Sequence, residues 1–394
     1  MKRNIRKEKG FTLIELLAVI VILAIIALIS TPIIIGVIEK ARKGAFEDSA
    51  YGVLDAGRIY FVDKLADDNQ FAGATFTFPD GGDLKVSGEK PAGGTLSLDS
   101  TGKQALAIYD KDKKWCAFKE YGEEKITISD YKEVECKVDD NKASIIIVNK
   151  NVHGNTEGLF TDDFGNIRYR GNDSATKNYV TFNNEVWRII GVFGGKLKLI
   201  RDDRISNPTD PSHPDEFLWN KTDTNDWTTS DLREYLNNGY YNSLNETAKN
   251  MIEETKYNLG GNIDTQIDKK TAFQVERGTT VYNERPTEWI GKIGLMYPSD
   301  YGYAASEECN QTLYEYDTIS CKNSDWLYKN AYSQWTLMPQ SNSSSNVAGI
   351  HSNGDVNAYF AGYWLAIRPS LYLKSNVQII SGDGTSSNPY QLSI

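Results

Sequence analysis

The stretch that decides the fold is Gly10-Phe11-Thr12-Leu13-Ile14-Glu15 and the apolar run that follows it. Residues 1–10 carry five basic side chains against one acid, a flank of the kind that stays on the cytoplasmic side of a membrane. Residues 16–38 contain no charge, and as a helix they would span about 35 Å, enough for a hydrocarbon core of roughly 30 Å. The sequence therefore predicts a membrane-spanning helix with the bulk of the chain outside.

The apolar run differs from a cleaved secretory signal, which has a shorter core of about 7–15 residues and a small-residue cleavage site after it. An uncleaved anchor and a segment cut between Gly10 and Phe11 both fit the sequence. Glu15 favours the cut segment, because an ionisable side chain beside an apolar helix is costly in lipid and needs a partner or a function. The new α-amine of Phe11 would be a cation that pairs with Glu15 of a neighbouring chain. A glutamate that reaches the lipid headgroups remains the alternative.

Residues 9–16, Lys-Gly-Phe-Thr-Leu-Ile-Glu-Leu, resemble the processing site of type IV pilins and related pseudopilins. The resemblance implies that a prepilin peptidase cuts after Gly10 and methylates the amino group of Phe11. It also implies that Glu15 acts in assembly with other pilin subunits through the N-terminal helix. Pro32 resembles the helix-loosening site of the family, and a proline does remove one intrahelical hydrogen bond. The implied locations are the cytoplasmic membrane for the precursor, then an extracellular pilus or the cell surface.

The region after the apolar run predicts a helix covered by a small sheet. Apolar residues recur at helical spacing as far as Leu65, so residues 11–70 are predicted to form one transmembrane and amphipathic helix after the leader of residues 1–10. Residues 71–137 contain short β-segments between glycine turns. The predicted strands are 75–78, 84–86, 95–98, 105–109, 114–118 and 125–128. An antiparallel sheet packed on the helix is the implied fold, and it is also the pilin fold.

The composition changes after a polar linker placed at residues 138–160. Seven of the eight tryptophans lie in residues 161–394, which we assign to a C-terminal accessory domain. Alternating strand patterns and the turns Asn183-Asn184 and Gly194-Gly195 predict a meander. Its strands are 179–182, 185–193 and 196–201. The predicted fold class of the whole chain is α+β, with a pilin-like helix and sheet followed by a larger mixed, β-rich domain.

Four motifs of the accessory domain resemble an uncharacterised extracellular module of Firmicutes surface proteins. They lie at 186–189, 227–236, 295–299 and 368–374. This resemblance implies a Gram-positive setting. The order of hairpin, helix and Trp-rich loops is also similar to C-type-lectin-like folds, which is an analogy of fold and carries no activity with it.

The four cysteines divide into two local pairs, Cys116 with Cys136 and Cys309 with Cys321. Neither pair has the close spacing of a zinc site. In an exported chain such pairs predict two disulfides. Free thiols are the alternative, since some Gram-positive cell surfaces avoid disulfides.

Motifs for catalysis or for metal binding are absent from the sequence, including G-x-S-x-G, H-E-x-x-H and the P-loop. We therefore expect no enzymatic activity, no cofactor and no metal. The short Asp/Gly runs at 162–166 and 382–384 are interpreted as turns rather than calcium loops. The net charge is −10, and loss of the leader with its net charge of +4 leaves −14. Such acidity disfavours double-stranded DNA as the main ligand.

Aromatic side chains concentrate in the loops of the accessory domain. Trp326, Trp335, Tyr363 and Trp364 form a candidate ligand surface that would stack on a glycan or contact a cell-surface protein. The alternative is that they fill the core of a loop-rich domain. We expect this for most of them, with one or two facing solvent.

The size of the accessory domain bears on the predicted function. A domain of about 240 residues is awkward at every position of a fibre that packs through its helices. The prediction is therefore a minor or tip pilin that presents this domain for adhesion or ligand binding. The alternatives are a pseudopilin of a secretion or DNA-uptake apparatus and a membrane-anchored surface protein that never polymerises.

Overall fold

The computed structural model describes residues 12–68, 71, 73–88, 90–98, 102–121, 123–134, 136–138, 142–152 and 158–394. Gly10 and Phe11, the predicted processing residues, lie outside this set. The described chain is of the α+β class, as predicted. It contains a long helix with a small antiparallel sheet, followed by a larger part that is rich in strands.

Helix α1 (Leu13–Asp68) is continuous through Pro32 and is about 84 Å long by its rise per residue. Its second half is buried where it meets the sheet, and its first half is exposed. Within the described residues, no helix has both the length and the apolar character required to cross a membrane. The predicted membrane span over residues 16–38 is therefore not confirmed.

A meander of five antiparallel strands covers the second half of α1. The strands, adjacent in sequence order, are β1 (Ala74–Phe78), β2 (Gly93–Leu98), β3 (Gln104–Tyr109), β4 (Trp115–Lys119) and β5 (Thr127–Asp130). Val53 and Leu54 of the helix pack with Leu96 and Leu106 of the sheet in one core. The strand predicted at 84–86 is wrong, because the backbone turns there and the N–H of Val86 donates to the carbonyl of Leu84 at 3.2 Å.

Both predicted disulfides are confirmed. Cys116 of β4 is bonded to Cys136, which follows β5, so the bond ties the last two strands of the meander together. Cys309 is bonded to Cys321 in the larger part of the chain. Both of the latter cysteines are buried.

The described residues between 142 and 394 form a second core, and we call this range the C-terminal module. Its helices are α2 (Ala143–Val152), α3 (Asp231–Glu234), α4 (Tyr241–Ser243), α5 (Glu246–Met251), α6 (Lys269–Glu276), α7 (Pro298–Ala304) and α8 (Ile319–Asn323). Single turns of 3-10 helix at Trp227–Thr229 and Leu313–Glu315 and a π-helical turn at Tyr235–Tyr240 complete the helical structure of the described module.

The strands of the module form several sheets around one core. They are β6 (Leu159–Thr161), β7 (Ile167–Tyr169), β8 (Tyr179–Phe182), β9 (Glu185–Phe193), β10 (Lys196–Arg201), β11 (Phe217–Leu218), β12 (Thr255–Asn258), β13 (Glu288–Gly291), β14 (Ile293–Gly294), β15 (Gln334–Pro339), β16 (Asn346–Ile350), β17 (Val356–Phe360), β18 (Trp364–Leu365), β19 (Ser370–Tyr372), β20 (Gln378–Ser381) and β21 (Tyr390–Ser393). The largest sheet has the order β14-β19-β10-β9-β8-β21-β20, with β7 on β9 and β6 on β7.

The predicted meander is confirmed as β8, β9 and β10, with the predicted boundaries. Asn183 and Asn184 join the first two strands with φ angles of 56° and 59°. A two-residue turn with positive φ at both positions matches the twist of a hairpin, and asparagine is one of the few side chains that tolerate it.

β21 closes the largest sheet on one side of this meander. It pairs with β8 in parallel, with Tyr390 opposite Val180 and Gln391 opposite Thr181, and it pairs with β20 in antiparallel. A strand near residue 390 thus covers the edge of a strand that lies near residue 180.

The stretch predicted as a linker contains α2. Ala143, Ile147 and Val148 of this helix are buried in the core of the C-terminal module. The N–H of Ala143 also donates to the carbonyl of Val377 at 2.8 Å. The beginning of the module is therefore held against residues that come more than 230 positions later.

The meander of the N-terminal part contacts the C-terminal module directly. Tyr121 packs with Ala105 and Ile145 in a small cluster, and Lys142 forms a largely buried ion pair with Glu120. Gly195 approaches so closely that a Cβ atom there would lie 2.3 Å from the carbonyl oxygen of Tyr121. Only glycine fits at this φ of 80° and this separation.

Candidate functional site

Glu15 lies in the first turn of α1 and forms hydrogen bonds with Thr12. Its Oε2 atom accepts hydrogen bonds from the backbone N–H and the hydroxyl of Thr12, both at 2.8 Å. The backbone N–H of Glu15 donates to Thr12 Oγ1 at 3.3 Å. This reciprocal pair is a capping box, which satisfies amide groups that the start of a helix leaves unpaired. The sequence interpretation missed this role, although Thr-x-x-Glu is its signature.

The first half of α1 exposes an apolar surface. In residues 13–38, sixteen large apolar side chains are between 46% and 87% exposed, and Leu13 is the most exposed of them. Monomeric soluble proteins rarely expose contiguous apolar patches above a few hundred Å², and larger ones mark surfaces that contact protein or membrane. We call residues 13–38 the apolar half of α1.

The candidate ligand surface is not assembled as predicted. Trp326 and Trp335 are each 1% exposed, and their Nε1 atoms donate to the carbonyls of Tyr169 and Phe217 at 2.9 and 2.8 Å. An indole that is buried and bonded in this way belongs to the core. The prediction that these two residues contact a ligand is therefore wrong, whereas the expectation that most of the aromatic residues fill the core is confirmed for them.

Tyr363 and Trp364 do reach the surface. Tyr363 is 50% exposed, and its ring centre is 5.6 Å from that of Phe360, which is 48% exposed. Trp364 is half-buried because the imidazole of His213 stacks on it, with the ring centres 3.7 Å apart and the planes 3° from parallel. The aromatic side chains at this surface are thus Phe360, Tyr363 and part of Trp364.

A cluster of buried charges lies inside the module. Arg168 donates from Nε to Asp162 at 2.6 Å and from Nη1 to Asp300 at 2.9 Å. Lys198 contacts the other oxygen of Asp300. The four side chains are at most 1% exposed. Burial would raise the pKa of Asp300, but the charges of Lys198 and Arg168 outweigh burial and lower it.

Asp162 also orders the turn at 162–166. Its Oδ1 atom accepts from the backbone N–H groups of Phe164 and Asn166 at 2.9 and 2.8 Å. The backbone of this run therefore forms a turn. Among the described residues, no group of three or more His, Cys, Asp or Glu side chains is placed to hold a metal ion.

Asp325 is a buried acid, and no basic side chain of the described residues forms an ion pair with it. Its Oδ1 atom accepts from the N–H of Leu327 at 2.8 Å, while Oδ2 has no hydrogen-bond partner within the described chain. Burial raises the pKa of Asp325 to about 8, against 3.8 for the free side chain. The folded state therefore holds a proton there over a range of pH in which the unfolded state has lost it.

The pH dependence of stability tests this protonation. Since the folded pKa of Asp325 is raised, its contribution to stability is present below pH 4 and is lost as the pH rises towards 8. We expect Asp325→Asn, which cannot ionise, to flatten the decline in unfolding free energy between pH 5 and 8 by roughly 3 kcal/mol. Urea unfolding at several pH values, monitored by tryptophan fluorescence, measures the free energy of unfolding of the variant and of the wild type. Parallel pH profiles for the variant and the wild type would contradict a protonated Asp325.

Two families match parts of the chain. Residues 5–31 match the prokaryotic N-terminal methylation motif. This match includes Gly10, Phe11, the capping box and most of the apolar half of α1. Residues 195–375 match a domain of unknown function (DUF6273), which here corresponds to the module from the start of β10 to just beyond β19. No curated protein and no solved structure matches the chain. The methylation motif supports a type IV pilin-like subunit of a pilus or of a secretion-related system.

Proposed function

We propose that this chain is a minor or tip subunit of an extracellular type IV pilus and that it presents its C-terminal module for adhesion or ligand binding. The observation that carries the proposal is the methylation motif at the head of α1, whose apolar half is exposed in the isolated chain. A bundle of such helices from neighbouring subunits would remove these side chains from water. At about 25 cal/mol per Å² of apolar surface, this burial would stabilise the fibre against dissociation once it has left the membrane.

The size and attachment of the module support a position at the end of the fibre or at scattered sites along it. The module exceeds the helix and its sheet in length, so it would crowd its neighbours if every subunit carried it. Its contacts with the N-terminal sheet through Tyr121, Gly195 and the Lys142–Glu120 pair favour a fixed orientation. A module that is held in this way presents its ligand-binding surface in one fixed direction relative to the fibre.

The partners and location follow from the same proposal. A prepilin peptidase would cut the precursor after Gly10 at the cytoplasmic membrane, and other pilin subunits would then pack against α1. The resemblance of the module to Firmicutes surface proteins favours a Gram-positive cell. We propose no enzymatic activity, no cofactor and no role in binding double-stranded DNA for a chain with a net charge of −10.

Mass spectrometry of the mature amino terminus, combined with immunogold labelling, tests the proposal. We expect a methylated Phe11 as the first residue and gold label at the ends of surface fibres or sparsely along them. Gly10→Val should retain the leader and abolish the label on fibres. Retention of Met1 in the wild type would exclude the filament. A processed chain whose label stays at the cell envelope would instead support a pseudopilin of a secretion or DNA-uptake system.

A further inference from the structure

A polar cleft opens on the C-terminal module next to the start of β8. Its walls come from the segment 172–179, from Asn323 at the end of α8 and from the turn at 385–386 that precedes β21. The cleft has a volume of about 530 Å³. This lies in the range of roughly 300–1,000 Å³ that small-molecule sites occupy.

The acid of the cleft, Asp173, is held by a buried arginine. Asp173 is 59% exposed, and its Oδ1 atom accepts from Nη1 of Arg188 at 2.5 Å and from the hydroxyl of Tyr179 at 3.2 Å. Arg188 is fully buried, donates from Nε to Asn178 Oδ1 at 2.5 Å, and lies 3.6 Å from the ring centre of Tyr179. A guanidinium fixed by these contacts sets the position of the carboxylate that faces the cleft.

The charge of Asp173 persists at neutral pH. Partial burial would raise the pKa of its carboxyl group, but the hydrogen bond and charge of Arg188 outweigh burial and lower it. The carboxylate therefore remains a pure acceptor of hydrogen bonds. Lys177 is the one basic side chain among the described residues that line the cleft.

The remaining lining consists mainly of amide and hydroxyl groups. Asn172, Ser174, Asn323 and Ser386 are among these residues. The side chains of Asn323 and Ser386 are exposed, and within the described structure neither forms a hydrogen bond. Tyr179 contributes a ring, and no aliphatic side chain other than the stems of Thr and Lys lines this cleft in the described chain.

The chemistry of this lining selects among classes of ligand. An apolar peptide side chain or a lipid tail would cover the carboxylate, amide and hydroxyl groups of the lining without forming hydrogen bonds with them, which is unfavourable. A polyanion would meet a carboxylate and a single lysine. A neutral molecule with several hydroxyl groups fits, because each hydroxyl donates to a carboxylate or amide oxygen and accepts from an amide N–H or a hydroxyl.

We propose that this cleft binds one neutral sugar residue of a glycan, with Asp173 accepting hydrogen bonds from sugar hydroxyls and Asn323 and Ser386 completing the site. A glycan is thus the ligand class of the C-terminal module, which rests on the proposed function for its setting outside the cell. This site is separate from the predicted aromatic surface, and polar side chains supply most of its lining residues.

Saturation-transfer difference NMR on the full chain, in a detergent without sugar headgroups, tests the cleft. The probes are neutral hexoses and acetamido sugars, each at about 10 mM, which detects dissociation constants in the millimolar range. We expect transfer to at least one sugar, and the two classes separate plain hexose glycans from acetamido-sugar polymers. Asp173→Ala should weaken binding at least about tenfold and Asn323→Ala about 3–10-fold, the effect of one hydrogen bond.

Tyr363→Ala is the matched control, because it removes an exposed aromatic side chain of the predicted ligand surface and should leave sugar binding unchanged. The side chain of Asn323 is exposed and forms no hydrogen bond with the described chain, so Asn323→Ala should fold even if Asp173→Ala does not. Absence of transfer from every sugar would overturn the inference, as would binding that survives both cleft substitutions. If the chain binds sugar but immunogold labelling never detects it on fibres, the proposed filament is rejected and the proposed sugar site is supported.

Discussion

Replacing Asp300 by alanine is expected to lower the free energy of unfolding of the C-terminal module by about 3–5 kcal/mol. The substitution leaves Lys198 without the carboxylate it contacts and Arg168 with Asp162 alone. All of these groups are buried, so no water replaces the lost partner. Asp300 also caps α7, since its Oδ2 atom accepts from the N–H of Tyr297 at 2.9 Å, and this contact would be lost as well.

Glu288→Ala provides the matched comparison for Asp300→Ala. Glu288 pairs with Lys256 at 3.2 Å, but both side chains are more than half exposed. Such a pair contributes about 0–1 kcal/mol. Urea unfolding of the full chain in detergent, followed by tryptophan fluorescence, reports on the module because seven of the eight tryptophans lie in it. A loss below about 1 kcal/mol for Asp300→Ala would show that the buried cluster stabilises no more than a solvated pair.

Glu15→Val is expected to reduce incorporation into filaments at least about tenfold while the amount of precursor in the membrane fraction stays unchanged. The expected pair between Glu15 and the α-amine of Phe11 in a neighbouring subunit would be shielded from water by apolar helices. Losing one partner of a shielded pair costs more than the roughly 1.4 kcal/mol that corresponds to tenfold. Quantitative immunoblotting of sheared fibres against cell lysate measures the incorporated fraction.

The capping box makes Glu15→Gln the informative second variant. Glutamine can accept from the N–H of Thr12 as glutamate does, so it preserves the start of α1 but carries no charge. If the charge positions neighbouring subunits, Glu15→Gln should assemble nearly as poorly as Glu15→Val. Normal incorporation of Glu15→Gln would assign the effect of Glu15→Val to the lost cap and would contradict the pairing.

Local chemistry explains what the sequence could predict about this fold. Asn183-Asn184 and Gly194-Gly195 specify two-residue turns by their tolerance of positive φ, and the alternation of apolar residues specifies the strands between them. The disulfides were predictable for a similar reason, since each pairs cysteines that are 20 or 12 residues apart. Contacts between residues that are close in the sequence can be predicted from the local pattern of residue types.

The contacts that determine the candidate site span much longer separations. Arg168 and Asp300 are 132 residues apart, and no local pattern marks one as the partner of the other. Trp326 lies in an aromatic-rich loop, which predicts a ligand surface, yet its indole N–H donates to the carbonyl of Tyr169, which precedes it by 157 residues. Burial of that kind is decided by the arrangement of the whole module. The capping box of Thr12 and Glu15 is the exception, because its signature, Thr-x-x-Glu, is local.

Because β21 pairs with β8, one edge of β8 has no partner until the end of the chain has been synthesised. β8 is complete at residue 182, but Tyr390, which covers it, follows 208 residues later. At about 5–20 residues per second, a ribosome needs roughly 10–40 s to make that interval. During this delay β8 has an uncovered edge, and such an edge is a template for pairing with another chain. Until residues 390–393 have been exported, a strand of a neighbouring exported chain can pair with β8 in their place, so a lower rate of expression should raise the yield of correctly folded protein.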